Sequence, residues 1–354
     1  MKTAYSYIAK QVIFGMLIAT FVLLPLFSFF DLLDQLDDVG KGTYRTADAF
    51  LYVSLLLPRR FIQIAPFIVL LGTVGALGKL AINSELVALR IAGLSPMKIC
   101  YAPIFIGLGL LGLIVILEQF IAPQLQQRAI AQRSIALDKS AELGKGLGIW
   151  ARDEHHILRI GEMLPIKRAT DIEIMYFDPT NGSLATHTYA EYADIFDDFW
   201  QLNEVTVKTF STNKISSTQA SSVEWQSFLT ADDIVTLTKP PESLSPTELM
   251  RHAEFLQSTG QKANAYIMAI WRKIGGGIMI IAMILLAVPF IFGSIREGLG
   301  GKLILASVIG VSVYLLDQII ANAGLLLQMN PILISVIPSL ILISIAIFFL
   351  KRVH

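Results

Sequence analysis

Long uncharged apolar windows lie toward both ends of the chain, and a polar stretch of roughly one domain's length separates them. About 20 apolar residues cross the hydrocarbon core of a membrane, and a charge buried there is expensive. Six windows approach or meet this length: 11–30, 61–78, 99–117, 274–295, 303–325 and 331–350. The pattern therefore predicts six membrane-spanning helices, three on either side of the polar stretch.

Within the polar stretch the hydrophobic period changes to two, which is typical of β-strands with one apolar face. Alternating or β-rich segments occupy 148–160, 171–178 and 200–210, and the turn sequence DPTNG at 178–182 separates two of them. These segments predict an antiparallel sandwich or jelly roll. Its interior is either a closed apolar core or, if the sheets stay open on one side, a place for acyl chains.

Helical segments flank the predicted β-domain. Residues 123–137 continue the third span outward, and Ser245, Pro246 and Glu248 form the capping-box pattern of a helix start. The chain accordingly divides into 1–137 with spans one to three and a short helix at 84–92, 138–244 with the β-domain, and 245–354 with a connecting helix and spans four to six.

The segment INSELVALRIAGLSP at 82–96 predicts that short helix between the second and third spans. Ser84 is placed to cap it and Gly93 to end it. Four residues give it an apolar face: Leu86, Val87, Leu89 and Ile91. One interpretation is a tight hairpin that only reverses the chain. The other interpretation is that the helix docks into a soluble partner, because a simple hairpin does not need a capped helix with apolar residues toward water.

Composition and charge agree with a membrane protein. Of the 354 residues, 54% are hydrophobic and 16% charged, against about 25% charged in soluble proteins. With the N-terminus inside, nine Lys and Arg residues lie on the inner side and four in the short outer loop, 31–60. Cytoplasmic loops carry the excess of these residues, so both termini are predicted to be cytoplasmic. The net charge is zero, which argues neither for nor against binding of a nucleic acid. We predict no nucleic-acid partner.

Catalytic motifs are missing from the sequence. The glycine-rich segments at 75–81 and 298–303 lack the spacing of a nucleotide-binding P-loop, and zinc-protease and serine-hydrolase motifs are absent. His155 and His156 fall in a predicted strand where adjacent side chains face opposite ways, which disfavours a metal site. Cys100 is the only cysteine and excludes an internal disulfide. We predict no catalytic residue, metal or cofactor in this chain, and hence no enzyme.

Asp317 and the basic residues near the outer surface each admit two interpretations. Asp317 either faces a cavity or partner helix, since intramembrane carboxylates rarely face lipid, or lies near the outer interface beside water or Tyr314. The basic residues either clamp a lipid phosphate or anchor the protein at the interface. They are Lys41, Arg45, Arg59, Arg60, Arg128, Arg133, Arg272 and Lys273.

Four segments carry a resemblance to a known family. They are FDLLDQLDDVGKGTY at 30–44, SELVALRIAGL at 84–94, GIWAR at 148–152 and YLLDQI at 314–319. In the order of three spans, β-domain and three spans, they resemble the LptF/LptG family of lipopolysaccharide-export permeases, and most of all its LptG branch.

The resemblance implies one permease subunit of an ABC-type exporter in the inner membrane of a Gram-negative bacterium, paired with an LptF-type permease. Two copies of a cytoplasmic ABC ATPase would bind ATP and Mg²⁺ and hydrolyse the ATP. An LptC-type single-span periplasmic protein would contribute a helix. Lipopolysaccharide would be extracted from the outer leaflet of the inner membrane and passed to a periplasmic β-jellyroll bridge.

Site residues follow from the same resemblance. Residues 84–92 resemble the coupling helix that receives the ATPase, through Ser84, Glu85, Leu86, Leu89 and Arg90. Asp317 and Gln318 match the family's D-Q-I motif and are expected, with Asp34, at the lateral gate or cavity.

The sequence departs from the family around its first span. Lysines that contact lipid phosphates in the family are replaced by Asp31, Asp37 and Asp38. Arg59 and Arg133 match basic family positions and are the preferred phosphate contacts. Two hypotheses stay open for the rest: that Lys41 and Arg45 supply replacement charge, or that a divalent cation bridges the aspartates to phosphate.

Two functions other than lipid export are alternatives for this chain. One is a mechanotransmitting or receptor-type membrane protein, whose outer domain binds a protein partner without lipid transport. A secondary transporter is disfavoured because the spans lack inverted repeats and discontinuous helices.

Overall fold

The computed structural model describes residues 2–137, 149–164, 168–179, 182–196, 199–211, 214–229, 239–258, 263–292, 299–327 and 329–352. The helices are α1 (Lys2–Leu36), α2 (Thr46–Ile82), α3 (Glu85–Ile91), α4 (Pro96–Ile116), α5 (Ala122–Ala136), α6 (Pro246–Ser258), α7 (Asn264–Phe292), α8 (Leu299–Leu326) and α9 (Pro331–Arg352). A π-helical turn, Leu117–Ile121, joins α4 to α5, and a 3-10 turn, Pro241–Ser243, precedes α6.

The prediction of six membrane-spanning helices is confirmed. The helices long and apolar enough to cross a membrane are α1, α2, the continuous α4–α5, α7, α8 and α9. The first three spans extend well past their apolar windows: α2 has 37 residues, which at about 1.5 Å per residue gives roughly 55 Å. A hydrocarbon core is about 30 Å thick, so the helix ends project into the interfacial regions and beyond them.

Helix α2 is the centre of the bundle and packs against α1, α5, α7 and α8. Small residues let these helices approach closely, as is common between membrane helices. A Cβ atom on Gly15 of α1 would overlap the carbonyl oxygen of Gly72 in α2, and one on Gly72 would lie 2.6 Å from the Cα of Met16. Helices α7 and α9 also approach each other closely at a glycine, Gly275, whose carbonyl accepts a 3.3 Å hydrogen bond from Ser339 Oγ.

The strands form an antiparallel sheet between the third and fourth spans, as predicted. They are β1 (Ile149–Arg152), β2 (His156–Leu164), β3 (Arg168–Phe177), β4 (Leu184–Ile195), β5 (Trp200–Ser211) and β6 (Lys214–Trp225), and the described strands pair in sequential order. One face is apolar and buried, with Leu158, Ile172 and Trp200 among its largest side chains. The predicted turn at 178–182 falls between β3 and β4; residues 180 and 181 lie outside the described residues. On either side of them, the N–H of Gly182, whose φ is 66°, donates to the carbonyl of Asp178 at 2.9 Å.

One predicted strand is corrected by the structure. The segment 148–160 does not form a single strand, because it turns back at 153–155 into the hairpin β1–β2. Asp153 Oδ1 accepts hydrogen bonds from the N–H groups of His155 (2.8 Å) and His156 (2.6 Å), which fixes the turn. His155 therefore lies in the hairpin turn and His156 is the first residue of β2, so the argument that adjacent strand residues face opposite ways does not apply to this pair.

Helix α6 connects the sheet to the spans. The predicted capping box is confirmed: Ser245 N–H donates to Glu248 Oε2 at 2.7 Å, and Glu248 N–H donates to Ser245 Oγ at 3.3 Å. Phe255 of α6 packs both on the buried face of the sheet and in a cluster with α7. The predicted domain boundary at 138 lies outside the described residues.

Candidate functional site

The structure places candidate residues at the two ends of the helical bundle. We call the end where α5 leads to β1 the sheet end, and the end that carries α3 the opposite end. Ile8 near the start of α1, Leu86 of α3 and Leu350 near the end of α9 belong to one buried cluster. Tyr7 of α1 donates a hydrogen bond to Glu85 of α3, and six successive spans return the chain to the end where α1 starts. Both termini of the described chain therefore lie at the opposite end, together with α3.

Main-chain hydrogen bonds close the C-terminus of α3. The N–H of Gly93 donates to the carbonyl of Arg90 (3.0 Å), and the N–H of Leu94 donates to that of Leu89 (3.1 Å). This double pattern is a Schellman motif, which needs a residue in the left-handed region. Gly93 has a φ of 89°, so the prediction that it ends the helix is confirmed.

The N-terminus of α3 differs from the prediction. Ser84 holds the N-cap position, but with a φ of 59° its side chain makes no capping hydrogen bond. The expected side-chain cap is therefore wrong, since capping residues take an extended backbone that aims the oxygen at the first-turn amides.

Glu85 is held by two other side chains. Tyr7 Oη of α1 donates to Glu85 Oε2 at 2.7 Å, and Asn83 Nδ2 donates to Oε1 at 3.1 Å. The hydrogen bond from Tyr7, followed by that from Asn83, holds the pKa of the Glu85 carboxyl below its usual range.

The four apolar residues of α3 do not share one face. Leu86 is 4% exposed in the main cluster of the spans, and Leu89 packs half-buried against that cluster. Val87 and Ile91 are 54% and 83% exposed. Because successive helix residues are about 100° apart, the first pair anchors α3 to its own spans and the second pair projects from it. Arg90 is exposed.

At the sheet end, Glu118 is the shared acceptor of two cations from other spans. It lies in the π-helical turn, with Oε1 3.4 Å from Arg59 Nη1 of α2 and Oε2 3.0 Å from Lys273 Nζ of α7. The three side chains are only 11%, 17% and 12% exposed, respectively. A buried carboxylate between two cations leaves both of them uncompensated if it is removed, so Glu118 ties three spans together.

The charged network continues to the fifth span. Arg272, next to Lys273 in α7, donates from Nη2 to Gln318 Oε1 of α8 at 3.0 Å. Asp317 beside it is half-buried, and the ring of Tyr314 packs on Phe67. The structure thus brings Asp317 and Gln318 to the charged cluster.

Other predicted residues lie on a loop and helices nearby. Asp34 is exposed on α1. Asp38, in the loop after α1, pairs with Arg133 of α5 and with Lys41, whose Nζ lies 2.7 Å from Asp38 Oδ1. The hydrogen bonds from Lys41 and then Arg133 hold the Asp38 pKa below its usual range.

Arg133 and Arg45 line one groove, while Arg59 lies in the Glu118 cluster. The groove has a volume of about 460 Å³ and is formed by the loop after α1, the start of α2 and α5. Tyr44, Tyr52 and Gln132 also line it. Only two of the four predicted phosphate contacts therefore share this surface, with Lys41 joined to it through Asp38.

Several residues of these ion pairs were not identified as a site from the sequence. Glu118 directly follows the predicted span 99–117 and has no role in the sequence-based interpretation. Asp31, which pairs with Arg60 of α2, is treated there only as a position where the family has a basic residue. The available signal was a pair of basic dipeptides inside otherwise apolar helices, Arg59-Arg60 and Arg272-Lys273. Because Asp31 and Asp38 are ion-paired within the chain, a cation bridge through them would require both pairs to open.

Known proteins are similar to this chain over its whole length. The family model described as lipopolysaccharide export system permease LptF/LptG matches residues 6–352. The chain is 31% identical over 354 residues to the lipopolysaccharide export system permease protein LptG of Haemophilus influenzae, covering 99% of both chains. It is 29% identical over 350 residues to the protein of the same name from Escherichia coli K12, covering 98% of this chain and 97% of the relative. With six membrane helices, an inserted antiparallel sheet and a family match across nearly every residue, the chain belongs to the LptF/LptG family of permeases of the lipopolysaccharide export system.

Proposed function

We propose that this chain is the permease half of an ABC-type exporter that extracts lipopolysaccharide from the outer leaflet of the inner membrane. A separate cytoplasmic ATPase drives it, two copies per complex, with ATP and Mg²⁺ bound there. The observation that carries the proposal is α3, a short helix set apart between two spans. It presents Val87 and Ile91 outward at the end of the bundle opposite the sheet.

In this proposal the opposite end is cytoplasmic and the sheet end periplasmic. Both termini lie beside α3, and nine of the Lys and Arg residues in the short segments fall on that side. An ATPase that closes on α3 then pushes directly on Leu86 and Leu89, which are packed into the spans. Ser84, Glu85 and Arg90 border the contact. Periplasmic transfer of the lipid proceeds along the sheet, as part of a β-jellyroll bridge.

A second, LptF-type permease completes the cavity, with an LptC-type single-span protein beside it. Helices α1 and α8 are the two spans with the smallest buried share, which supports them as the lateral gate. Asp317, Gln318 and Asp34 lie on these helices. Arg133 and Arg45 are placed to contact headgroup phosphates from their groove, with Lys41 near them. Arg59 becomes available only when Glu118 releases it.

The test is affinity purification of the chain from native membranes, followed by detection of bound ATPase, bound second permease and bound lipopolysaccharide. Ile91→Asp places a charge at the centre of the proposed contact and is expected to lower the bound ATPase about tenfold or more. Ile215→Asp is the matched control, because Ile215 is 65% exposed in β6, far from α3 in the chain.

Wild type and Ile215→Asp are expected to retain the ATPase equally. Absence of any ATPase from the wild-type preparation would remove the energy source and leave the receptor-type function. ATPase bound equally by Ile91→Asp would show that the contact lies elsewhere.

A further inference from the structure

The contact between α3 and α1 carries an inference that rests on the proposed function and deepens it. We propose that Tyr7 is a positioning residue: by holding Glu85 it ties α3 directly to α1, so that a push on α3 reaches the first span without passing through α2.

Glu85 is held by a residue that is distant from it in the chain. The Tyr7 Oη–Glu85 Oε2 distance of 2.7 Å joins residues 78 positions apart. It is in the range of a charge-assisted O–H···O⁻ hydrogen bond, about twice as strong as a neutral one. Asn83, which holds the second oxygen, is only two residues away in the chain. Tyr7 thus connects α1 to the start of α3.

The hydrogen bond from Tyr7 stabilises the start of α3, which lacks a side-chain cap. The C-terminus is closed by the main-chain bonds of Gly93 and Leu94, whereas Ser84 leaves the N-terminus uncapped by its side chain. Unsatisfied first-turn amides carry a partial positive charge that favours a carboxylate nearby. Glu85 stands in that first turn, and Tyr7 fixes where its carboxylate lies.

Helix α1 is built to transmit a displacement along its length. It crosses α2 at Gly15 and Gly72 with backbone in contact, and near the sheet end Asp31 pairs with Arg60. Beside Tyr7, Ile8 is fully buried in the same cluster as Leu86. When α3 is displaced, the end of α1 held by Tyr7 moves with it and the helix turns about its close crossing with α2. Pro25, which lies beyond that crossing, is a point where the helix can bend, and the Asp31–Arg60 pair opposes the movement. The far end of α1 carries Asp34, a residue of the proposed gate.

The test uses the complete complex in lipid nanodiscs that contain lipopolysaccharide, and it measures lipid released per ATP hydrolysed. Tyr7→Phe removes one hydroxyl. Tyr5→Phe is the control, since Tyr5 packs partly buried on the same cluster two residues away. Tyr7→Phe is expected to keep the ATPase bound and to lower lipid released per ATP by about threefold to tenfold. This is the loss expected for a typical net hydrogen bond, since Tyr7 is 41% exposed to solvent. Tyr5→Phe is expected to match wild type.

A double-mutant cycle separates positioning through Glu85 from a general structural effect. If Tyr7 acts through Glu85, adding Tyr7→Phe to Glu85→Ala changes the ratio no further. An equal additional loss in the Glu85→Ala background would overturn the proposal, as would wild-type coupling in Tyr7→Phe.

Hydrogen exchange of the amides at 85–91 gives a readout that does not depend on transport. Tyr7→Phe is expected to speed exchange there, and Tyr5→Phe is not. A wild-type complex with no ATPase would overturn the proposed function and this inference together. A wild-type complex that transports, with unchanged exchange in Tyr7→Phe, would overturn the inference alone.

Discussion

The sheet end and the opposite end of the helical bundle are stabilised by different chemistry. At the sheet end, charged side chains from separate spans meet in pairs and triads, with Glu118 between Arg59 and Lys273 as the most buried. At the opposite end, main-chain bonds close α3, apolar packing anchors it, and Tyr7 supplies one side-chain hydrogen bond to it.

This difference has a physical reason in what each end must do. Buried ion pairs add little net stability over apolar packing, but breaking one is strongly unfavourable, so they fix which helices lie together. An apolar surface is non-directional and suits a partner that binds and moves. The ion pairs of the sheet end therefore favour one arrangement of spans, whereas the apolar surface at the opposite end is the part that receives force in the proposed function.

The largest expected effect is at the sheet end. Glu118→Ala leaves Arg59 and Lys273 buried without their shared carboxylate, and we expect the free energy of unfolding to fall by about 3 kcal/mol or more. Chemical unfolding of the chain in mixed micelles measures it. Asp34→Ala, at an exposed acid of α1, is the control and should change stability by less than about 0.5 kcal/mol. Equal effects in the two variants would contradict the comparison.

A smaller effect is expected at the opposite end. Gly93→Ala puts a side chain on a residue with a φ of 89°, which raises the energy of the left-handed conformation by about 1–2 kcal/mol. Hydrogen exchange should show local opening of 85–94 while the sheet end stays protected. Gly109→Ala is the control, because a Cβ there meets nothing within 4 Å. Loosening that spread to the Glu118 cluster would mean that the two ends are not independent.

The loop after α1 should loosen in acid. The pKa of Asp38 is lowered by its hydrogen bonds to Lys41 and Arg133 from a usual value of 3.8. A carboxyl with a lowered pKa contributes stability that is present above its unfolded value and is lost as pH falls through the folded value. Exchange of loop amides 38–45, corrected for the intrinsic rate, should therefore rise below pH 3.8. Asp38→Asn should remove this pH dependence; a transition that persists in it would have another source.

The smallest effect is expected for the exposed member of that triad. Lys41 is 61% exposed, and exposed ion pairs contribute about 0–1 kcal/mol. Lys41→Ala should therefore change the free energy of unfolding by less than about 0.5 kcal/mol, and Arg133→Ala by more, because Arg133 is less exposed at 32% and also lies over the ring of Tyr52. Thermal unfolding of both variants side by side measures the difference. The reverse order would contradict the role of burial in the sheet-end network.

The sequence predicted the helices and the sheet because their signals are local. Apolar windows located the spans, and Gly93 together with the Ser245 and Glu248 pattern located helix ends that the structure confirms. The hairpin at 153–155 was missed because the turn depends on one carboxylate, Asp153, accepting two amides. No alternation of residues encodes that bond.

The charged cluster could not be predicted in the same way. Glu118 and Lys273 are brought together by the packing of α4 and α7, which local patterns do not contain. The buried face of α3 could not be predicted for a different reason. Apolar residues at 86, 87, 89 and 91 make the helix apolar on more than one side. Only the position of the helix against its own spans decides which of them are covered.

The π-helical turn at Leu117–Ile121 also makes the third span unusual in how it accommodates a change of length. In a regular helix, deleting one residue rotates everything beyond it by about 100°, which would turn α5 away from α2. A π turn holds one residue more than an α turn. Removing a single residue within it, other than Glu118, is expected to convert the turn to regular helix and to leave both flanking segments facing their neighbours. This turn is the place in the span where a one-residue deletion is compatible with the rest of the bundle.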